Sequence, residues 1–170
     1  ATAPDGRLIA ITADSVLQLD PAGKVAWRSG LAGDDLNIGG SAAAVHPPAM
    51  LPDGRLLIGA PGRDVVMLGR DGQVINRWKT RSPVRGRPLA YLNDTFGTGP
   101  RVAWAADEIT AGDPDGTPGH VIPLPAPAAA GPLAITEGVD QLLVVATVTG
   151  NLAGYMESSR KPAWTTDLRA

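Results

Sequence analysis

The chain has 170 residues, of which 15 are lysine or arginine and 17 are aspartate or glutamate. This length suits one ordinary domain, and the scattered, nearly balanced charges exclude a nucleic-acid footprint and a polybasic membrane patch. Cysteine is absent, which removes disulfides, thiolate metal sites and a cysteine nucleophile together.

Glycine and proline are abundant, with 21 and 16 copies, so turns must follow one another closely. No segment combines ten or so breaker-free residues with helical spacing of apolar positions. The longest apolar run covers residues 142–148, far short of the roughly 18–20 residues of a membrane helix. The sequence therefore predicts an all-β protein without direct membrane insertion.

Four similar units follow one another, at about residues 1–40, 41–86, 87–130 and 131–170. Their first long strands open at Leu8, Leu56, Val102 and Leu142, a period of roughly 40–48 residues that is typical of propeller blades. The second unit divides into strands at residues 47–51, 55–60, 64–69 and 73–80, with "PDG" and "RDG" as tight turns. We predict a single domain of about four four-stranded blades.

In the first unit, the stretch "LQLDPAGKVAWRS" indicates a turn at residues 20–23 followed by an outer strand that carries Trp27. A tryptophan there can wedge between blades while its indole N–H binds a backbone carbonyl. Trp78 and Trp164 end comparable strands, each 22 positions after Leu56 and Leu142. We interpret Trp27, Trp78 and Trp164 as blade-docking residues.

The segments "LQLDPAGKVAW", "KPAWTTDL" and "VVATVTGNLAGYM" resemble the repeat of the pyrroloquinoline-quinone (PQQ)-like β-propellers. That family includes quinoprotein dehydrogenases and the outer-membrane assembly propeller of the Bam complex. The resemblance implies a β-propeller in an extracytoplasmic, periplasmic or secreted, location. A lesser likeness links the "DGRL" pattern to six-bladed lactonase-like propellers, which lack the regular tryptophan.

Family members have about seven or eight blades, whereas this chain offers about four, and its first unit supplies only three strands. The chain is then half of a propeller completed by another chain or copy, a small four-bladed ring, or part of a longer protein. Open halves would expose large apolar faces. We therefore expect a protein partner or a second copy to complete the ring.

The candidates for chemistry are few. His46 and His120 lie in predicted loops without acidic residues at metal-ligand spacing, and no nucleophile-elbow motif occurs. Two acidic loops have the oxygen ligands that calcium prefers but too few of them. The acidic or amide residues of these loops are Asp34, Asp35, Asn37, Asp113 and Asp115.

The link between the second and third units gathers Arg81, Arg85 and Arg87 within "TRSPVRGRP". Three guanidinium groups on one loop can form paired hydrogen bonds with carboxylates or phosphates. This loop is the predicted partner contact, displayed on the same rim as residues 31–41. The connector at residues 123–132 is rich in proline and alanine and is predicted to be extended.

The sequence favours a non-catalytic scaffold or protein-binding module, a subunit of a larger extracytoplasmic assembly. The alternative is part of a propeller enzyme, a degenerate quinoprotein dehydrogenase or a lactonase-like hydrolase with an axial metal. The resemblance implies that PQQ catalysis needs adjacent cysteines and a calcium ion, so the lack of cysteine disfavours both cofactors. The bias towards Ala, Gly, Pro and Arg is typical of a GC-rich bacterial genome.

Overall fold

The computed structural model describes residues 6–12, 15–30, 46–60, 63–92, 99–117, 119–137 and 140–169. Every regular element in that part of the chain is a β-strand, as the close spacing of glycine and proline predicts. The strands are β1 (Leu8–Ile11), β2 (Ser15–Leu19), β3 (Val25–Gly30), β4 (Ala49–Met50), β5 (Leu56–Ala60), β6 (Asp64–Leu68), β7 (Val74–Lys79), β8 (Leu89–Leu92), β9 (Pro100–Ala105), β10 (Glu108–Gly112), β11 (Val121–Pro123), β12 (Leu133–Glu137), β13 (Asp140–Ala146), β14 (Asn151–Met156) and β15 (Trp164–Asp167).

The strands form four antiparallel sheets in which every strand pairs with its neighbour in sequence. Blade 1 contains β1–β3, blade 2 contains β4–β7, blade 3 contains β8–β11 and blade 4 contains β12–β15. Blade 1 has three described strands and the others have four. The all-β prediction of about four blades is confirmed.

The turn after β2 shows how the sequence reverses the chain. Asp20 accepts hydrogen bonds through its carboxylate from the amides of Ala22 and Lys24, both at 2.9 Å, and Gly23 takes a φ of 82°. Only glycine adopts that φ without steric cost. Blade 2 uses the same turn before β7, with Gly72 at φ 83°.

The core lies between consecutive blades. Three apolar clusters join blade 1 to 2, blade 2 to 3 and blade 3 to 4. The alternation of side chains along each strand places one row against the previous blade and the next row against the following blade. In blade 2, for example, Leu56 and Ile58 pack towards blade 1, whereas Leu57 packs towards blade 3.

Two blade faces have no neighbour among the described residues, because no apolar cluster there joins blade 4 to blade 1. On blade 1, Leu8 alternates with the buried Ile9 and is exposed. On blade 4, Leu133, Ile135 and Met156 lie on the side opposite blade 3 and are likewise exposed. We call these two surfaces the open faces.

The sequential topology also gives each blade two rims. The connectors between blades, including residues 80–88 and 124–132, lie on one rim, which we call the connector rim. The turns that follow β2, β6, β10 and β14 lie on the opposite rim, the turn rim.

Candidate functional site

The connector that contains the three predicted arginines is fixed at several points. The amide of Arg85 donates to the carbonyl of Ala105 in blade 3 at 2.8 Å, and the Ser82 hydroxyl contacts the Asp107 carboxylate. Val84 is buried and packs with the core between blades 2 and 3. A loop held in this way presents its outward side chains in a fixed arrangement.

The three arginines point outward from this anchored backbone. The side chain of Arg81 is 87% exposed and lies 3.9 Å from Glu108, a distance at which a surface ion pair contributes little. Arg85 and Arg87 are exposed and have no ion-pair partner within the described part of the chain. Within the described residues, the loop therefore combines one weakly paired guanidinium group with two that have no ion-pair partner there.

Arg87 also lines a cavity of about 440 Å³ near the inner strands of blades 2, 3 and 4. Met50, Leu89 and Leu133 contribute apolar walls, and residues 130–132 contribute the far side. Two connectors meet here so closely that a β-carbon on Gly86, whose φ is 77°, would overlap the backbone of Gly131. Glycine is thus required where the two connectors cross.

His46 supports this same connector. Its Nε2 accepts a hydrogen bond from the amide of Gly86 at 2.9 Å, so the ring must be neutral at that nitrogen. Burial lowers the pKa of His46 from its ordinary 6.5, which keeps the acceptor available at neutral pH. His120, by contrast, is exposed beside β11 on the turn rim.

The predicted docking tryptophans occupy three different settings. The Trp27 indole donates to the carbonyl of Arg70 in blade 2 at 2.7 Å and packs on the core between blades 1 and 2. Trp78 contacts Trp104 of blade 3 with ring centroids 5.2 Å apart. Trp164 covers Gly154 of its own blade and lies on the open face of blade 4.

Strand register shows that these tryptophans are not all equivalent. Trp27 lies four residues after Gly23, whereas the residue four after Gly72 is Asn76, and Trp78 lies two residues further. Asn76 lies against Gly116 of blade 3, much as the Trp27 ring lies against Gly72 of blade 2.

The sequence prediction that Leu142 of blade 4 corresponds to Leu56 of blade 2 is wrong by one residue. In blade 2 the residues that face the previous blade are Leu56 and Ile58, and in blade 4 they are Leu143 and Val145. Leu143, and not Leu142, therefore corresponds to Leu56. The equal spacings from Leu56 to Trp78 and from Leu142 to Trp164 do not reflect equivalent positions.

A buried ionic network was not predicted from the sequence. Arg101 on β9 contacts the carboxylates of Asp113 and Glu157, and the Tyr91 hydroxyl donates to Glu157 at 2.9 Å. The Arg101 and Glu157 side chains are only 11% and 9% exposed. The network joins β8, β9 and the turn after β10 in blade 3 to the turn after β14 in blade 4.

Burial and the neighbouring charges shift the pKa values of Tyr91 and Arg101. Burial, reinforced by the Glu157 carboxylate, raises the pKa of Tyr91. Burial alone would lower the pKa of Arg101, but its hydrogen bonds to Glu157 and Asp113 outweigh that effect and raise it. The network is thus charged at Arg101 and neutral at Tyr91 across the physiological range.

The sequence signal for this network is an arginine that recurs at the same position in the first three units. Arg7, Arg55 and Arg101 each directly precede the first apolar residue of the corresponding strand. Arg55 donates to the carbonyl of Pro114 in the next blade at 3.3 Å, and Arg7 donates to Gln18 at 2.9 Å. The repeat is visible in the sequence. The pairing of Arg101 with Glu157 is not, because Glu157 belongs to the next blade.

The carboxylates of the acidic loop after β10 are bound by other groups of the protein. Asp113 binds Arg101, and Asp115 accepts a hydrogen bond from the amide of Thr117 at 2.9 Å, which lowers the pKa of Asp115. No group of three metal-ligating side chains occurs among the described residues. Residues 31–41, with Asp34, Asp35 and Asn37, lie outside them.

No helix in the described part of the chain is long and apolar enough to cross a membrane. No protein-family profile matches the sequence, and no curated protein matches it significantly.

Solved β-propellers, however, match the fold. BamB from Moraxella catarrhalis matches with a TM-score of 0.70 and 15% identity, over 98% of this chain and 50% of BamB. The Cps50 (Swd1) β-propeller domain from Myceliophteria thermophila matches with a TM-score of 0.68 and 18% identity, over 98% and 52%. BBS1N, solved in complex with ARL6DN, matches with a TM-score of 0.69 and 11% identity, over 99% and 51%.

These comparisons define the fold as a β-propeller. The chain spans about half the length of the propellers it matches. Together with the open faces on blades 1 and 4, this identifies the four blades as a partial propeller.

Proposed function

We propose that this chain is a non-catalytic β-propeller scaffold, a protein-binding subunit of a larger extracytoplasmic assembly. Residues 1–170 form one domain whose ring is completed by further blades, supplied by a protein partner or a second copy. It acts without PQQ or calcium, since the sequence lacks the cysteines that the PQQ resemblance calls for.

The two open faces carry this proposal. Apolar clusters join blades 2 and 3 to a neighbouring blade on both sides, whereas Leu8 on blade 1 and Leu133 on blade 4 lie on faces without such a cluster among the described residues and are 46% and 60% exposed. Apolar surface of this kind is favourably removed from water by a further blade. The matched propellers have about twice this length, which is the amount of chain that a complete ring needs.

The anchored arginine connector is the proposed partner contact. Arg85 and Arg87 are unpaired in the described structure, and their backbone is held by Ala105 and His46. Rigid guanidinium groups form hydrogen-bonded pairs with carboxylates at little entropic cost. One matched propeller, BBS1N, was itself solved in complex with another protein. The extracytoplasmic location rests on the PQQ-like resemblance alone.

The particle mass in solution tests the completion of the ring. We expect light scattering to give about twice the 17.5 kDa of one chain. Leu8→Asp should reduce the particle to one chain, because it places a charge on an open face. Val74→Asp is the matched control, since Val74 is 47% exposed but belongs to an interior blade. A wild-type particle of one chain at every concentration would contradict completion by a second copy.

Cross-linking mass spectrometry in the source organism tests the partner contact. We expect Arg85→Glu/Arg87→Glu to lose specific cross-linked proteins that Lys24→Glu/Arg70→Glu retains, because the latter pair lies on the turn rim. Equal losses from both variants would contradict a role for the arginine connector.

A rise in melting temperature on adding calcium or PQQ would contradict the cofactor-free part of the proposal.

A further inference from the structure

The junction between blades 3 and 4 lacks the docking side chain found between blades 1 and 2. Trp27 pairs across the strands with Gln18, and Asn76 pairs with the corresponding Met67 of blade 2. In blade 3 the corresponding residue is Ala111, whose amide donates to the carbonyl of His120. His120 therefore takes the place of Trp27, but it is exposed and is not one of the residues that line the cavity at this junction.

A cavity of about 500 Å³ lies at this junction. Residues 123–125 line it from blade 3, and Ala153, Tyr155, Arg160 and Pro162 line it from blade 4. Proline rings, a methyl group and a tyrosine ring give it mainly apolar walls. Its volume falls within the range of about 300–1,000 Å³ that is typical of binding sites.

The floor of this cavity corresponds to the surface that holds Trp27. Ala153 and Tyr155 occupy the positions of Val66 and Leu68, because each pair faces the previous blade from the third strand of its sheet. Val66 and Leu68 pack with Trp27 in the core between blades 1 and 2. The positions that pack with Trp27 at the first junction therefore recur at the third, where no described tryptophan occupies the place of Trp27.

The mouth of the cavity is positively charged. Arg160 and the adjacent Lys161 are exposed, and neither side chain has an ion-pair partner within the described residues. Arg160 lines the cavity itself, where its guanidinium group can stack on an aromatic ring. This charge complements an acidic segment and repels a basic one.

We propose that this cavity binds a tryptophan side chain from an extended acidic segment of a partner protein. The indole occupies the place that Trp27 fills in the first junction, and a carboxylate of the same segment pairs with Arg160. This inference rests on the proposed protein-binding function. The cavity is formed by two blades of one chain, so it does not depend on completion of the ring.

The test uses an acetylated Glu-Glu-Trp-Glu-Glu amide peptide, with a peptide carrying alanine in place of tryptophan as the control. We expect the tryptophan peptide to shift the amide NMR signals of Ala153 and Tyr155 and to bind at least ten-fold more tightly than the alanine peptide. Arg160→Ala should weaken binding several-fold. Equal binding of the two peptides, or no shifts at these amides, would overturn the proposal.

A substitution that refills the junction provides a sharper test. His120→Trp restores a tryptophan at the equivalent position, so it should raise the melting temperature and weaken peptide binding at least ten-fold. Val74→Trp adds the same side chain at an exposed position away from the cavity and should leave binding unchanged. Unaltered peptide binding to a folded His120→Trp variant would contradict the proposal that the indole of the partner occupies the position equivalent to Trp27.

The remaining alternative is that the cavity binds a small aromatic molecule and not a segment of a protein. N-acetyltryptophanamide should bind at least ten-fold more weakly than the peptide, because it lacks the flanking carboxylates. Equally tight binding would replace the protein segment by a small aromatic molecule and overturn the proposal. All of these results are independent of the particle mass, so failure here leaves the ring-completion test standing.

Discussion

The first and third blade junctions solve the same packing problem with different chemistry. Between blades 1 and 2, Trp27 covers an apolar core and its indole binds the Arg70 carbonyl. Between blades 3 and 4, Arg101 and Glu157 form a buried ion pair on the turn rim, and a cavity remains beside the outer strands. A closed aromatic junction favours stability, whereas an ionic junction with a cavity leaves room for a ligand.

Removal of the Glu157 side chain should destabilise the third junction, and it should lower the free energy of unfolding more than any other substitution proposed here. Glu157→Ala leaves the buried Arg101 guanidinium with Asp113 as its remaining carboxylate partner, so the cost should approach the lower end of the about 3–5 kcal/mol that an uncompensated buried charge costs. Urea unfolding should show this decrease in the free energy of unfolding. In an Arg101→Met background the same substitution should cost much less. Equal costs in the two backgrounds would show that the pair is not coupled.

Removal of Trp27 should break the first junction. Because the ring is partly buried and makes one hydrogen bond, Trp27→Ala should cost about 2–3 kcal/mol, below the range for a fully buried tryptophan. Trp164→Ala should cost about 1 kcal/mol or less in the isolated chain, since Trp164 contacts its own blade on an open face. If both variants lose the same stability, the docking role of Trp27 is wrong.

The sequence predicts the two junctions unequally well. Turn residues, strand periodicity and Trp27 are local signals, so the blades and their order follow directly from them. The third junction depends on the contacts of Glu157 with Tyr91 and Arg101, which lie 66 and 56 positions away in the preceding blade. The Arg7, Arg55 and Arg101 repeat marks the position of the ion pair, but sequence alone does not show which blade supplies its partner. Equal spacing in the sequence also pairs Trp78 with Trp164 and Leu142 with Leu56. Neither pair is equivalent in the structure, because the turns and connectors of the units differ in length.

Alkaline pH should affect the third junction selectively. The two tyrosines of the chain, Tyr91 and Tyr155, both lie in the core between blades 3 and 4, and burial raises the pKa of each above the ordinary value of 10. The folded state then retains protons that the unfolded state releases. The free energy of unfolding should therefore fall above pH 10, by up to about 1.4 kcal/mol per tyrosine per pH unit. Tyrosine absorbance at 295 nm should change together with unfolding, and ionisation in the folded protein near pH 10 would contradict this.

A pair of glycines isolates the contribution of the Trp27 ring. Gly23 and Gly72 have φ of 82° and 83°, so alanine should introduce similar backbone strain at both positions. A β-carbon on Gly72 would lie 2.5 Å from the Trp27 ring, whereas one on Gly23 meets nothing within 4 Å. Gly72→Ala should therefore cost about 1 kcal/mol more than Gly23→Ala in thermal unfolding. That excess should disappear in a Trp27→Ala background.

The strictly sequential pairing of the strands has a consequence for how stability is distributed. Among the described residues each apolar cluster joins two consecutive blades, so the free energy of the array approximates a sum of blade terms and nearest-neighbour interface terms, as in a one-dimensional Ising model. Damage at one interface then stays local and does not spread through a common centre. An evolving lineage can lengthen, shorten or divide such an array at a blade boundary while the remaining interfaces keep their strength.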